Sequence, residues 1–125
     1  MTLLALPPRG IILLAHGSRD PQWLAPMEAV AARIRVRQPA TPVCCAYLEL
    51  CTPSLPEAAA DLIATGARRI RVFPIFFGVG KHAREDLPLL IEKIRLAHPR
   101  VTIELLPTAG EYEELTLLMA DIALS

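Results

Sequence analysis

The sequence predicts an α/β fold in which a four-stranded parallel sheet is flanked by helices on both faces. Four apolar runs of strand length alternate with four segments of helical periodicity. The first two runs are continuously apolar, which is typical of strands covered on both faces. In addition, 53% of the 125 residues are hydrophobic, enough for a substantial core. The strict alternation predicts right-handed crossovers in a doubly wound sheet.

The strands are predicted at residues 10–15, 43–48, 69–76 and 101–105. The third run opens on Arg-Ile-Arg, so we expect its first part to be half exposed. No linker or low-complexity segment separates the runs from the helical segments. Residues 1–125 are therefore predicted to form one domain.

The first two helices carry clear start signals. Asp20 followed by Pro21 has the pattern of an N-cap and a first-turn proline. Ser54 and Glu57 have the spacing of a capping box, and Gly66 suits the position after the end of that helix. The apolar stripe expected on the first helix comprises Leu24, Met27, Ala31 and Ile34.

The third and fourth helices are predicted mainly from their periodicity. Glu85 and Asp86 are placed in the first turn of the third helix, where the helix dipole favours carboxylates, with His82 just before it. The stripe of the third helix comprises Leu87, Leu90, Ile91 and Ile94, and that of the fourth comprises Leu115, Leu118, Met119 and Ile122.

Charge and cysteine usage exclude several classes of protein. Thirteen basic residues balance thirteen acidic ones, which argues against a non-specific nucleic-acid binder. No apolar stretch approaches the roughly 18 residues of a membrane span. Pro7 and Pro8 interrupt the apolar start of the chain, so we expect no signal peptide. Three cysteines without CxxC spacing predict reduced thiols, and we expect a cytoplasmic protein.

Two histidines and a carboxylate fall on loops at one predicted edge of the sheet. Ligands of doubly wound sheets bind outside the carboxyl ends of the strands. His16 follows the first strand, Glu49 the second, and His82 the third. Two imidazoles and a carboxylate can bind a divalent transition metal, and a neutral imidazole can also accept a proton.

The segment between the third strand and the third helix has the composition of a ligand-binding loop. Gly78 and Gly80 allow close backbone approach, and Phe77 can contact a flat apolar ligand. The nearby cations Lys81, Arg19 and Arg84 are candidates for binding ligand carboxylates.

Two other functions are weighed against a metal site. Residues 16–19, His-Gly-Ser-Arg, partly resemble the histidine phosphatase loop, but Ala15 stands where that family has arginine. That alternative is a phosphate-handling enzyme with His16 as nucleophile. The other is a non-catalytic carrier of metal or tetrapyrrole. The Gly80-Lys81 pair does not complete a P-loop, because Ile75 and His82 occupy required positions.

Three segments together resemble the small sirohydrochlorin chelatases of the CbiX type. Residues 14–21, Leu-Ala-His-Gly-Ser-Arg-Asp-Pro, resemble the first histidine motif of that family. Residues 73–82, Phe-Pro-Ile-Phe-Phe-Gly-Val-Gly-Lys-His, resemble the second. Residues 46–49 with Pro53 resemble the Phe-Leu-Glu segment. The resemblance implies a chelatase half-domain, a class II enzyme that inserts Co²⁺ or Fe²⁺ (Ni²⁺ is a further candidate) into sirohydrochlorin for cobalamin or sirohaem.

The resemblance also implies roles for individual residues. His16 and His82 would bind the metal, with His16 or Glu49 accepting pyrrole protons. The segment Phe77, Gly78, Val79, Gly80, Lys81 and His82, together with Glu49, would contact the substrate. The metal is a substrate, and no permanent cofactor is expected. Because full-length relatives contain two such halves, the resemblance implies a homodimer.

Overall fold

The computed structural model describes residues 9–78 and 80–125. Its strands are β1 (Arg9–Ala15), β2 (Val43–Tyr47), β3 (Arg69–Pro74) and β4 (Thr102–Leu105). Its helices are α1 (Pro21–Arg37), α2 (Leu55–Ala64), α3 (Lys81–Ala97) and α4 (Glu113–Leu124), with a 3₁₀ turn at Ala109–Glu111 before α4. The predicted alternation of strands and helices is confirmed.

The four strands form one parallel sheet in the order β2-β1-β3-β4. The connection after β1 leads to one side of that strand, and the chain then returns past β1 to form β3 on its other side. The strand order therefore reverses between β1 and β3. Such a switch point opens a crevice at the carboxyl ends of the two strands.

Helices cover the sheet on both faces, as predicted. On one face, α2 and α3 bury Leu62 and Ile91 against Ile12, Leu14 and other side chains of the strands. On the other face, α1 buries Met27 and Ala31 against a second cluster. Truncating a fully buried leucine or isoleucine to alanine in such a core costs about 2–5 kcal/mol.

The predicted starts of α1 and α2 are confirmed. The carboxylate of Asp20 accepts a hydrogen bond from the backbone of Gln22 at 2.9 Å. Ser54 and Glu57 form the reciprocal capping box, with Ser54 N donating to the Glu57 carboxylate at 2.9 Å. Gly66 has a φ of +106°, as the end of α2 requires.

The predicted start of α3 is wrong. The helix begins at Lys81, so Glu85 and Asp86 lie in its second turn and His82 is its second residue. The backbone of Gly80 is extended and caps the helix without a side-chain hydrogen bond. The acidic pair was misleading as a start signal, because the helix, capped by the extended Gly80, begins four residues before Glu85.

Two strands end earlier than predicted. β2 ends at Tyr47 and β3 at Pro74. The carbonyl of Phe76 accepts a hydrogen bond from Gly110 N at 2.9 Å, in the loop that follows β4, instead of extending the strand ladder.

The fourth helix lies largely uncovered. α4 buries none of its residues. Of its predicted stripe, Leu115 is half-buried, and Leu118, Met119 and Ile122 are exposed. Within the part of the chain that the structure describes, no helix is long and apolar enough to cross a membrane.

Candidate active site

An open cavity of about 590 Å³ lies at the carboxyl ends of the strands. It brings together His16, Glu49 and His82, the three residues that the sequence placed at this edge. The remaining lining residues are Leu48, Ala83, Asp86, Leu87, Leu89, Leu90 and Lys93. Half of the lining residues are apolar, and the others expose two imidazoles, two carboxylates and one ammonium group in the cavity.

Backbone hydrogen bonds fix His16 and Glu49 relative to each other. The ladder between β1 and β2 continues past the strand ends, since Leu48 N donates to Ala15 O at 3.0 Å and Glu49 N to His16 O at 2.9 Å. Gly17 has a φ of +108°, and a Cβ there would lie 1.8 Å from the carbonyl oxygen of Glu49. Only glycine allows the two loops to approach this closely.

The ring of His16 stacks on the buried ring of Phe76. The ring centroids are 4.4 Å apart and the planes differ by 29°. Phe76 is 4% exposed and therefore a rigid support. A stacked imidazole uses its face for the contact, so its edge nitrogens remain available to a metal or a proton.

His82 is presented by the first turn of α3. The side chains of His82, Asp86 and Lys93 follow one another at helical spacing, with Leu89 and Leu90 between them. One face of α3 therefore forms a wall of the cavity. Sequence reasoning missed Asp86 and Lys93. Asp86 was assigned to the first turn of the predicted helix, where it would interact with the helix dipole. Nothing in the sequence distinguishes Lys93 from other surface charges.

The loop before α3 borders the cavity without lining it. Phe77 is 70% exposed, Gly78, Gly80 and Lys81 are exposed, and none of the four lines the cavity. The loop is held to the 3₁₀ turn, where a Cβ on Gly110 would lie 1.9 Å from the carbonyl oxygen of Phe77. Val79 lies outside the described residues.

The cations expected beside the site are not in the cavity. Arg84 lines a different cleft together with Pro88 and Glu111, and neither Arg19 nor Lys81 lines the cavity that contains the histidines. Helix geometry explains the outcome for Arg84, since it follows His82 by two residues and so faces another direction. The cation of this cavity is Lys93.

None of the three cysteines lines the cavity. Burial raises the pKa of Cys44 to about 11 and that of Cys45 to about 12, so both stay protonated at neutral pH. Burial also raises the pKa of Tyr47, to about 12. Among residues 9–78 and 80–125, no three His, Cys, Asp or Glu side chains converge closely enough to hold a metal ion. The histidines and Glu49 therefore share a cavity without forming a closed cage.

The CbiX family model matches residues 10–123. The chain belongs to the CbiX family. A CbiX protein of Marinobacter aquaeolei superimposes with a TM-score of 0.80 at 34% identity, covering 94% of this chain and 95% of that one. The fold and the order of its elements are therefore those of the family.

Several curated relatives of this chain are named sirohydrochlorin cobaltochelatase. The protein of Methanothermobacter thermautotrophicus is 33% identical over 85 residues, which span 68% of this chain and 59% of that protein. The protein of Saccharolobus solfataricus is 31% identical over 116 residues, 85% of this chain and 86% of that one. The match to the Methanothermobacter protein thus leaves about two fifths of that protein unaligned.

A longer relative has the same fold in about half of its chain. The sirohydrochlorin chelatase SirB of Bacillus subtilis subspecies spizizenii, in complex with cobalt, superimposes with a TM-score of 0.74 at 25% identity. The match covers 93% of this chain and 51% of SirB.

Proposed function

We propose that this CbiX-family protein is a lyase that inserts a divalent metal into sirohydrochlorin. The observation that carries the proposal is the meeting of His16, His82 and Glu49 in one open cavity at the switch point of the sheet. Relatives named sirohydrochlorin cobaltochelatase and the cobalt complex of SirB support it. Both the metal and the tetrapyrrole are substrates, and no permanent cofactor is proposed.

In the proposed mechanism, His16 and His82 bind the metal on one side of the macrocycle. Two pyrrole N–H bonds then break, each electron pair stays on its nitrogen to form a metal–nitrogen bond, and two protons leave. His16 can accept a proton only after its nitrogen has released the metal, because both use the same lone pair. Glu49 is available throughout and is the first acceptor in this scheme.

An open site suits a metal that must be passed on. A structural cage with four protein ligands holds its ion permanently, whereas transfer needs few ligands and free coordination positions. His16, His82 and Glu49 share one cavity without enclosing a metal ion, as a site for a transferred ion requires. Imidazole and carboxylate ligands accept Co²⁺, Fe²⁺ and Ni²⁺ alike, so the metal used follows from geometry and supply.

The loop before α3 is proposed to contact the macrocycle. The exposed ring of Phe77 offers a flat apolar surface beside the cavity. The exposed backbone of Gly78 and Gly80 allows a flat ligand to approach closely. Val79 and Lys81 complete this proposed contact segment.

We propose further that residues 1–125 act as a half-domain in a homodimer. The 51% coverage of SirB shows that a longer relative holds about twice this length in one chain. The uncovered side of α4 is the proposed contact surface with a second copy. The exposed apolar residues that share one face of α4 are Leu118, Met119 and Ile122. Burying such a surface in a dimer removes it from water.

The phosphate-handling alternative finds no support at the site. Arg19 does not line the cavity of His16, and the carboxylates of Glu49 and Asp86 would repel a phosphate. A carrier would bind the same ligands as a chelatase and would differ from it only in not accelerating metal insertion. A cytoplasmic location remains a prediction from cysteine usage.

The absorption spectrum of sirohydrochlorin tests the function directly. Tetrapyrrole and Co²⁺, Fe²⁺ or Ni²⁺ are mixed with and without protein, and insertion is followed as the free-base bands disappear. A chelatase accelerates the change and turns over many times. Binding shifts without acceleration would identify a carrier, and a phosphohistidine on His16 without a metal requirement would identify the phosphate-handling enzyme.

A further inference from the structure

Asp86 is a cavity residue that the proposed roles do not use. It lies one turn after His82 on the same face of α3, about 6 Å further along the helix axis. Its side chain lines the cavity together with His16, Glu49 and His82. The neighbouring Glu85 is also exposed but does not line the cavity.

The structure gives Asp86 no other task. Because α3 begins at Lys81, Asp86 is too far along the helix to cap it, and no acidic residue lies in the first turn. Among the described residues, Asp86 takes part in no hydrogen bond or ion pair, whereas Glu57, Glu92 and Glu104 each have a partner. A carboxylate in an active-site cavity without a structural partner is free to act on what binds there.

In the proposed reaction, Glu49 is the one acceptor assigned so far that is free before the histidines release the metal. Insertion releases two protons, while the lone pairs of His16 and His82 are occupied by the metal until transfer. Glu49 can take one proton from its place after β2. Asp86 reaches the cavity from a different element, α3, so the two carboxylates can serve different pyrrole nitrogens.

We propose that Asp86 is a catalytic residue that accepts one of the two pyrrole protons. The N–H bond breaks, its electron pair becomes the metal–nitrogen bond, and the proton passes to the Asp86 carboxylate and then to water. The open cavity and the exposed side chain provide the path to solvent. This role rests on the proposed chelatase function, because only metal insertion into an N–H macrocycle releases these protons.

The test compares D86N with the matched variant E85Q. Both remove one negative charge from adjacent exposed positions of α3, so a general charge effect would change both alike. We expect D86N to lower kcat for insertion by roughly a hundredfold, the lower end of the range for general-base catalysis. The KM values for metal and tetrapyrrole should stay within about twofold. E85Q should retain wild-type kcat, and both should unfold at the wild-type temperature.

Rescue separates proton transfer from a static electrostatic role. In D86A, added formate should restore part of the lost kcat, since a free carboxylate can occupy the vacated space and accept the proton. D86E should retain more activity than D86N. Loss of kcat in D86A that formate does not rescue, equal losses in D86N and E85Q, or a loss confined to the KM for metal would overturn the proposal.

The control for the underlying function is the wild-type protein. Wild-type insertion with an unimpaired D86N would refute the role of Asp86 and leave the chelatase function standing. Absence of insertion by the wild type with Co²⁺, Fe²⁺ and Ni²⁺ would refute both.

Discussion

The imidazole of His16 stacks on the ring of Phe76, with 4.4 Å between the ring centroids. His16 follows β1 and Phe76 follows β3, so the contact bridges the two strands at which the sheet order reverses. The hydrophobic core thus extends directly under a proposed metal ligand. The orientation of His16 depends on a buried aromatic residue that never touches the metal.

Replacing Phe76 by leucine should therefore affect both stability and activity. The variant keeps an apolar side chain but loses the stack, worth about 0.5–1.5 kcal/mol for an aromatic pair beyond its burial. We expect a lower free energy of unfolding in urea and a lower kcat. Phe73→Leu is the control, because Phe73 packs edge-on against Tyr112 and does not line the cavity. It should lose stability and retain kcat per folded molecule.

The histidines can be tested individually against the third histidine of the chain. His16→Ala and His82→Ala should each abolish metal insertion and weaken Co²⁺ binding, measured by titration calorimetry. Because both side chains are exposed, neither substitution should unfold the protein. His98→Ala should leave both unchanged, since His98 lines a separate cleft beside Arg100. Near wild-type turnover of either site variant at limiting metal would show that its histidine is not a ligand.

Two glycines with nearly equal φ values allow a matched comparison. Gly17→Ala places a Cβ 1.8 Å from the Glu49 carbonyl oxygen, whereas at Gly66 nothing lies within 4 Å of the added atom. Gly66→Ala should cost about 1 kcal/mol from backbone strain alone. Gly17→Ala should cost more and also reduce insertion, because His16 and Glu49 must separate. Equal unfolding free energies for the two variants would contradict the close approach of the loops.

Lys93 should contribute to binding the anionic macrocycle. Its ammonium group is the cation in the cavity, and sirohydrochlorin carries carboxylates at its periphery. Lys93→Glu should raise the KM for tetrapyrrole about threefold to tenfold at low salt, with the KM for metal unchanged, and added salt should reduce the difference. Arg33→Glu, an equal charge reversal on an exposed position of α1, is the control. An identical rise in both variants would assign the effect to net charge.

The uncovered side of α4 should determine the oligomeric state. Ile122 and Leu118 are 64% and 54% exposed, so an aspartate at either position costs the isolated fold little. We expect Leu118→Asp to shift the protein from dimer to monomer in sedimentation analysis. Val36→Asp is the control, since Val36 is 79% exposed on α1. A wild-type protein that sediments as a monomer would refute the proposed dimer.

Sequence patterns predicted the sheet, the four helices and the edge that carries the histidines. These features depend on local signals, such as the Asp20 cap and the apolar runs, together with one topological rule. The start of α3 was misplaced, because the cap at Gly80 is a backbone conformation without a side-chain signature. Asp86 and Lys93 were missed because membership of a cavity depends on how the helix is rotated against the sheet, which the sequence pattern does not specify. The exposure of α4 could not be predicted, because an apolar stripe in the sequence does not indicate whether the sheet of the same chain or another chain covers it.

One face of α3 holds His82, Asp86 and Lys93 in a row that spans about 16 Å of helix axis. The helix therefore fixes the positions of these three side chains relative to one another. Each residue of the helix turns the next by about 100°, so one inserted residue between Asp86 and Lys93 would leave the first two in place and carry the lysine out of the cavity. A substitution at Lys93 changes the charge at its end of the row and keeps the position of the side chain, whereas such an insertion removes the lysine from the row. The rotation of α3 about its axis therefore determines which of its side chains reach the cavity.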